Sequence, residues 1–386
     1  MTTVSPFVRP SKLPTVGTTI FTIMSNLAAE VGALNLSQGF PNFPTDPALI
    51  DLVTKAMRDG HNQYAPMPGV LALREAIAHK TSTLYGATYH PDDEITVTAG
   101  ATEALFAAIT AVVRPGDEVL VFEPAYDSYV PAIELAGGVP VYVSLVPPAY
   151  AIDWARVRSR LTARTRLMIV NTPHNPTGRV WTAADLDQLA ALVRDRDLLV
   201  VADEVYEHIC FDGRAHHSLA GHADLRERTF VIGSFGKTFH ITGWKIGYCL
   251  APSALTAEFR KVHQFLTFSV STPMQQALAT YLSQPERYES LPAFYQRKRD
   301  LFLTALAGSR FTFTPTEGTF FQNVSYANLT DEPDHELAVR LTRELGVASI
   351  PVSAFYHQRT DYRMLRFCFA KDDETLRWAG ERLRAL

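Results

Sequence analysis

Between Glu94 and Leu250 the chain alternates short apolar, β-branched runs with longer stretches of helical periodicity. The runs are Glu94–Thr98, Glu118–Phe122, Val139–Leu145, Leu167–Asn171, Leu198–Ala202, Thr229–Ile232 and Ile246–Leu250. Several are apolar on successive positions, as in Leu198-Leu199-Val200-Val201-Ala202. An alternating run has one wet face, whereas an unbroken one is covered on both faces. Strands alternating with helices predict an α/β fold with a mostly parallel sheet between helices. After about Pro285 the pattern changes. Helical stretches flank two strands, Thr319–Val324 and Met364–Ala370, and a terminal amphipathic helix sets Leu376, Ala379, Leu383 and Leu386 on one face. This predicts a large domain over 44–284 and a smaller α+β domain built from 285–386 and the N-terminal arm, 1–43.

Composition narrows the classes. At 386 residues, 47% hydrophobic and 20% charged, the chain can bury a large core around a deep site. A formal charge of −4 without like-charge runs argues against nucleic acid and anionic membranes as partners. Cys210, Cys249 and Cys368 are odd in number and lack CxxC spacing, so neither a disulfide framework nor a zinc site is expected. The opening MTTVSPFVRPSKLP has no signal-peptide core, and no apolar stretch nears the roughly 20 residues of a membrane span. The expected location is the cytoplasm.

In sheets of this kind ligands collect beyond the carboxyl ends of the strands. Thr98-Ala99-Gly100, Glu123-Pro124, Asn171-Thr172-Pro173, Asp203-Glu204 and Gly233-Ser234 each follow a run directly. The segment Ser234-Phe235-Gly236-Lys237-Thr238, continued by Gly243-Trp244-Lys245-Ile246-Gly247, allows three readings. A nucleotide P-loop needs glycine where Val231 stands. A Ser-x-x-Lys serine acylase matches at Ser234 and Lys237 but has no Ser-Asp-Asn or Lys-Thr-Gly partner. The third reading is a lysine that forms an imine with an aldehyde cofactor. Such an amine must be neutral part of the time, through desolvation or a neighbouring cation such as Lys245. Solvated surface lysines are the plain alternative.

The other motifs carry chemistry in combination. Asp203 can hold a pyridine nitrogen protonated, or cap a helix. Tyr206 and Asn175 can donate to a phenolic oxygen, or simply pack and turn. Thr98–Leu105 reads as strand, glycine turn at Gly100 and helix start, whose free N–H groups at Ala101 and Thr102 suit a phosphate with help from Ser234 and Lys245. Arg366 interrupts an apolar strand and needs a carboxylate, either structural or from a substrate. Tyr126 can stack on a planar ring or join the core. His216, His217 and His222 lack flanking metal ligands and are expected in a solvated loop.

Taken together, these motifs resemble the class I/II aminotransferases of pyridoxal-phosphate fold type I, closest to their methionine and kynurenine (glutamine transaminase K-like) branch. Leu36–Phe43, Asn62–Pro66, Thr98–Leu105, Glu123–Tyr129, Asn171–Gly178, Asp203–Tyr206, Ser234–Gly247, Ile350–Ser353 and Leu365–Lys371 carry the likeness in order, from about residue 14 to the C-terminus. The resemblance implies Lys237 as the Schiff-base lysine and proton carrier, Asp203 on the pyridinium, Asn175 and Tyr206 on the phenolic oxygen, and Tyr126 on the ring face. It implies Gly100, Ala101, Thr102, Ser234 and Lys245 at the phosphate, with Tyr64 reaching in from the second subunit of a homodimer. Arg366, Asn175 and the Gly39 backbone would bind the substrate carboxylate. Ala101-Thr102, Phe235 and an arm with Phe21 but no tryptophan depart from some relatives and bear on substrate preference.

Phe40, Tyr64, Tyr126, Phe268 and Phe355 offer an aromatic lining that favours methionine and aromatic amino acids over aspartate, with a 2-oxo acid as acceptor. Rivals on the same scaffold are cysteine-S-conjugate β-elimination and kynurenine transamination. A non-catalytic cofactor-binding regulator would need a DNA-binding domain for which this chain has no room.

Overall fold

A computed structural model describes residues 10–194 and 196–386. The first nine residues of the expected N-terminal arm lie outside the described residues. In chain order the strands are β1 (Leu34–Asn35), β2 (Ile95–Thr98), β3 (Glu118–Glu123), β4 (Val139–Ser144), β5 (Thr165–Asn171), β6 (Leu199–Asp203), β7 (Thr229–Ser234) and β8 (Gly247–Leu250), followed by β9 (Phe321–Ser325), β10 (Val347–Ala348), β11 (Ile350–Pro351) and β12 (Met364–Cys368).

Seven of them form one sheet in the order β2-β8-β7-β6-β5-β3-β4. All run parallel except β8, which is antiparallel to both neighbours. The mostly parallel sheet expected from the apolar runs is present. Strands β2, β3, β7 and β8 are buried at every position, as unbroken apolar runs require. Exposed residues of this sheet are Val139, at the start of the edge strand β4, and Arg166, near the start of β5.

Register places the chemistry along one rim. Asn171 pairs with Asp203, and Ser234 pairs with Gly247, which in turn pairs with Thr98. Because β8 runs against the others, its first residue meets their last ones. Lys245 and Gly100 therefore meet at the same rim.

A second sheet, β11-β12-β9, is antiparallel and pairs Arg366 with both Asn323 and Ile350. Strand β1 pairs in parallel with β10, and Cys368 N–H donates to the Leu36 carbonyl at 2.7 Å, so the N-terminal segment is sewn onto the C-terminal one. The strand expected from Thr319 begins only at Phe321, because Thr319 is in the left-handed region at φ 65°. Helix Asp373–Arg384 buries Leu376, Ala379 and Leu383, capped by Asp372, whose side chain accepts from Thr375 N–H. Leu386 lies past its end and is only partly covered.

Candidate active site

Strand β7 ends at Ser234, and one helical turn, Phe235–Thr238, follows at once. The turn delivers Lys237 into a cavity at the strand ends. Lys237 Nζ donates to the Gly39 carbonyl at 2.9 Å and lies 5.8 Å and 5.5 Å from the ring centres of Tyr206 and Phe320. Enclosure by these walls lowers its pKa to about 8, and the Arg366 and Lys245 cations push the same way. Burial thus outweighs the neighbouring-cation effect expected of Lys245. The apoprotein is expected to capture pyridoxal phosphate at a rate that rises with pH and levels off above about 8. Stopped-flow absorbance checks this, since an ordinary lysine would keep gaining neutral amine towards 10.5.

Asp203 closes β6, buried, with its carboxyl pKa raised to about 6 by desolvation. Tyr129 O–H donates to Oδ2 at 2.6 Å and Val205 N–H to Oδ1 at 3.3 Å, both favouring the charged form. A carboxylate bears about four lone-pair positions, so these two donors leave acceptor capacity for a ring N–H. Tyr129→Phe deletes one charge-assisted bond. It is expected to lower kcat/KM on the order of tenfold, measured at saturating cofactor.

Across the rim, helix Gly100–Val112 begins without a side-chain cap, and Ser234 does not cap its own turn. Gly100 takes φ 78°, which only glycine adopts at little cost. A Cβ there would sit 3.3 Å from Lys245 Nζ, which measures how closely that cation approaches the helix start. Lys245 is itself left-handed at φ 57°, a strain on the order of 1 kcal/mol for a non-glycine residue. Gly247 is equally required, since its Cβ would lie 2.9 Å from the Ala101 nitrogen. Free N–H groups, a helix dipole and one ammonium suit a phosphate dianion.

Arg366 is 1% exposed, yet no carboxylate lies within ion-pair distance among the described residues. Its Nη1 donates to Asn175 Oδ1 at 2.7 Å and its Nη2 to the Ser37 carbonyl at 3.1 Å, while Nε has no partner. The guanidinium lies 3.9 Å from the centre of the Phe321 ring, 5.0 Å from that of Phe355 and 5.3 Å from that of Phe21. Desolvation lowers its pKa to about 10, so it remains charged at neutral pH. A buried cation with a spare donor and only neutral acceptors is built to receive an anion. Asn175 is held for the contact, its N–H donating to Asn171 Oδ1 at 2.7 Å, while Asn171 Nδ2 donates to the Asp203 carbonyl at 2.7 Å.

The cavity wall gathers Gly100, Ala101, Thr102, Tyr126, Asn175, Asp203, Tyr206, Ser234, Lys237 and Lys245, as expected from sequence. Phe355 lies behind, against Arg366. Phe40, Tyr64 and Phe268 are outside this wall: Phe40 is 45% exposed with Lys371 Nζ over its ring, and Tyr64 meets Phe268 edge-on at 5.3 Å. Tyr129, Phe320, Phe321 and the Ser37 carbonyl were not anticipated. One expectation is corrected. His216 is not in a solvated loop: its side chain is 4% exposed and its Nε2 lies 2.9 Å from Glu204 Oε2. Twelve residues separate the two, and the contact depends on the fold.

Residues 31–383 match the family model of class I and II aminotransferases. The chain is 52% identical over 383 residues to the methionine aminotransferase of Escherichia coli K12, covering 99% of both proteins. A crystal structure of that Escherichia coli protein superposes with a TM-score of 0.97, over 99% of this chain and 100% of the other. Similarity extends to the kynurenine–oxoglutarate transaminase of Dictyostelium discoideum, 36% identical over 98% of this chain and 96% of the other.

Proposed function

The chain belongs to the class I and II aminotransferases, and from that premise we propose that it moves the amino group of methionine, or of aromatic and other apolar amino acids, to a 2-oxo acid. Enzymes of this family depend on pyridoxal phosphate and act on amino acids and 2-oxo acids. The observation that carries the reading is the Arg366 guanidinium, enclosed and charged, with no carboxylate at ion-pair distance among the described residues.

Bound pyridoxal phosphate supplies an aldehyde carbon that takes up the amino nitrogen and a cationic ring that accepts electrons from the α-carbon. The residues do the rest. Arg366 and Asn175 clamp the α-carboxylate and so fix which bond at the α-carbon faces the ring. Lys237 Nζ would hold the cofactor aldehyde and would serve as the acid–base that moves the α-proton. Asp203, oriented by Tyr129, keeps the ring N–H in place. Asn175 Oδ1 is occupied by Arg366, which leaves its amide nitrogen, with the Tyr206 hydroxyl, to hold the phenolic oxygen. Ala101, Thr102, Ser234 and Lys245 hold the phosphate.

Three further readings rest on the same frame. Tyr64 is 81% exposed and meets Phe268 edge-on, and Phe265 and Leu266, shortly before Phe268 in the chain, are exposed as well, which supports a homodimer in which Tyr64 completes the neighbouring site. Tyr64→Phe is expected to weaken cofactor binding on the order of tenfold, read by equilibrium titration, with the dimer intact in sedimentation. The one large sheet within 95–250 and the second sheet within 321–368 support the division into 44–284 and 1–43 with 285–386. Buried, free Cys210, Cys249 and Cys368 support a cytoplasmic location, and among the described residues no helix is long and apolar enough to cross a membrane.

The substrate class follows from the walls and from the methionine aminotransferase likeness. Kynurenine is the second donor to consider, favoured by the 36% identical relative. Mixing the enzyme with single amino acids and following loss of the aldehyde-form absorbance tests both. Methionine and aromatic donors should convert it faster than aspartate; the reverse order would refute the substrate class. Release of pyruvate and ammonia from a cysteine S-conjugate would reveal β-elimination.

A further inference from the structure

Glu103 stands in the first turn of helix Gly100–Val112, the helix whose free N–H groups form the phosphate cup. Its Oε2 accepts from the Ala99 N–H at 3.1 Å, so the carboxylate bends back to the helix start. An acid is favourable at an ordinary helix N-terminus. Here it competes with a phosphate dianion for the same positive potential and repels it.

The other Glu103 oxygen, Oε1, lies 3.0 Å from Nδ1 of His263. Nε2 of the same ring lies 3.1 Å from the Met67 carbonyl oxygen. His263 is wholly buried and stacks on Phe259 at 19° between planes. A neutral imidazole has a single N–H, whereas this ring faces an acceptor at each nitrogen. Only the doubly protonated ring donates to both. In that form the ring would set a cation against Glu103, where the cup needs its charge cancelled. Met67 belongs to the loop that carries Tyr64, and Ser269 Oγ holds the same loop by donating to the Ala65 carbonyl at 3.0 Å.

We propose that His263 is a positioning residue for the phosphate end of the cofactor: as an imidazolium it neutralises Glu103 beneath the cup and ties the cup helix to the loop bearing Tyr64. The ring touches neither substrate nor reacting atoms. The Tyr64 half of the statement rests on the dimer reading above, whereas the charge cancellation is internal to one chain.

The test is a cycle of full-length proteins: wild type, His263→Asn, Glu103→Gln and the double variant. Each is stripped of cofactor and titrated with pyridoxal phosphate and, separately, with pyridoxal, which lacks the phosphate. His263→Asn should weaken pyridoxal phosphate on the order of tenfold while leaving pyridoxal within about threefold of wild type. Adding Glu103→Gln should restore the phosphate-bearing ligand to within about threefold. Equal weakening of both ligands, no weakening, or no rescue would each overturn the proposal. Should His263→Asn fail to fold, Glu103→Gln alone decides: retained or tighter pyridoxal phosphate binding supports charge cancellation, and clear weakening overturns it. If Tyr64→Phe leaves phosphate affinity unchanged while the cycle behaves as stated, the dimer reading falls and the role of His263 within the chain stands.

Discussion

Lys237→Ala is expected to end turnover, with kcat falling by at least about four orders of magnitude, and to remove the absorbance of the covalently held cofactor. Two separate contributions vanish with this side chain. The amine would hold the aldehyde, and it would also serve as the base for the α-proton. A lowered pKa of about 8 gives the amine an appreciable neutral fraction at physiological pH. Lys237→Arg separates the chemistry from the charge. It restores a cation in the same pocket but one that stays protonated, so it should be as inactive as the alanine variant. Single-turnover assays and absorbance spectra of both variants check this; appreciable turnover in either would remove Lys237 from the mechanism.

Arg366→Met is expected to lower kcat/KM for amino acids by about two to three orders of magnitude while the cofactor remains bound with its usual spectrum. The clamp is made of one guanidinium, one amide and the aromatic rings of Phe321, Phe355 and Phe21, and only the guanidinium carries charge. Arg366→Lys tests geometry, because a single ammonium cannot present the fork that matches a carboxylate. It should recover only part of the loss. The spectrum decides between roles, since a purely structural arginine would damage cofactor binding and substrate handling together.

The parts of this site legible in the sequence are those made locally. Asn171, Asp203, Ser234 and Lys237 sit directly after apolar runs, and the parallel sheet puts all such positions on one rim. Gly100 is legible as the turn of a strand–glycine–helix junction, but such a junction is common without a ligand, and its phosphate role comes from the likeness to the family. Contacts between distant segments were not legible from local pattern. Arg366 and Asn175 are 191 positions apart, and only the pairing of β12 into the second sheet brings them together. Tyr129 reaches Asp203 across 74 positions, and nothing in the residues around it distinguishes it from a packed aromatic. His263 meets Glu103 across 160 positions, and helical periodicity alone would place it simply on a buried face. His216 shows the opposite failure. Its polar neighbourhood suggested solvent, but Glu204, turned away from the cavity side on which Asp203 lies, recruits it into the interior.

Tyr64, Phe40 and Phe268 mark the limit of reading a single chain. Phe40 and Tyr64 belong to motifs that resemble the family and Phe268 to the expected aromatic lining, yet none lies on this cavity's wall. Phe268 is left-handed at φ 65° and packs on Tyr64, which is the contact the proposed dimer would build on.

The central claim is that an aldehyde cofactor is covalently held at one nitrogen. The most direct measurement reduces the purified holoenzyme with borohydride and maps the adduct by peptide mass spectrometry. A pyridoxyl phosphate mass confined to the peptide containing Lys237 is the expected result. An adduct on another lysine, or none from a protein saturated with pyridoxal phosphate, would contradict it.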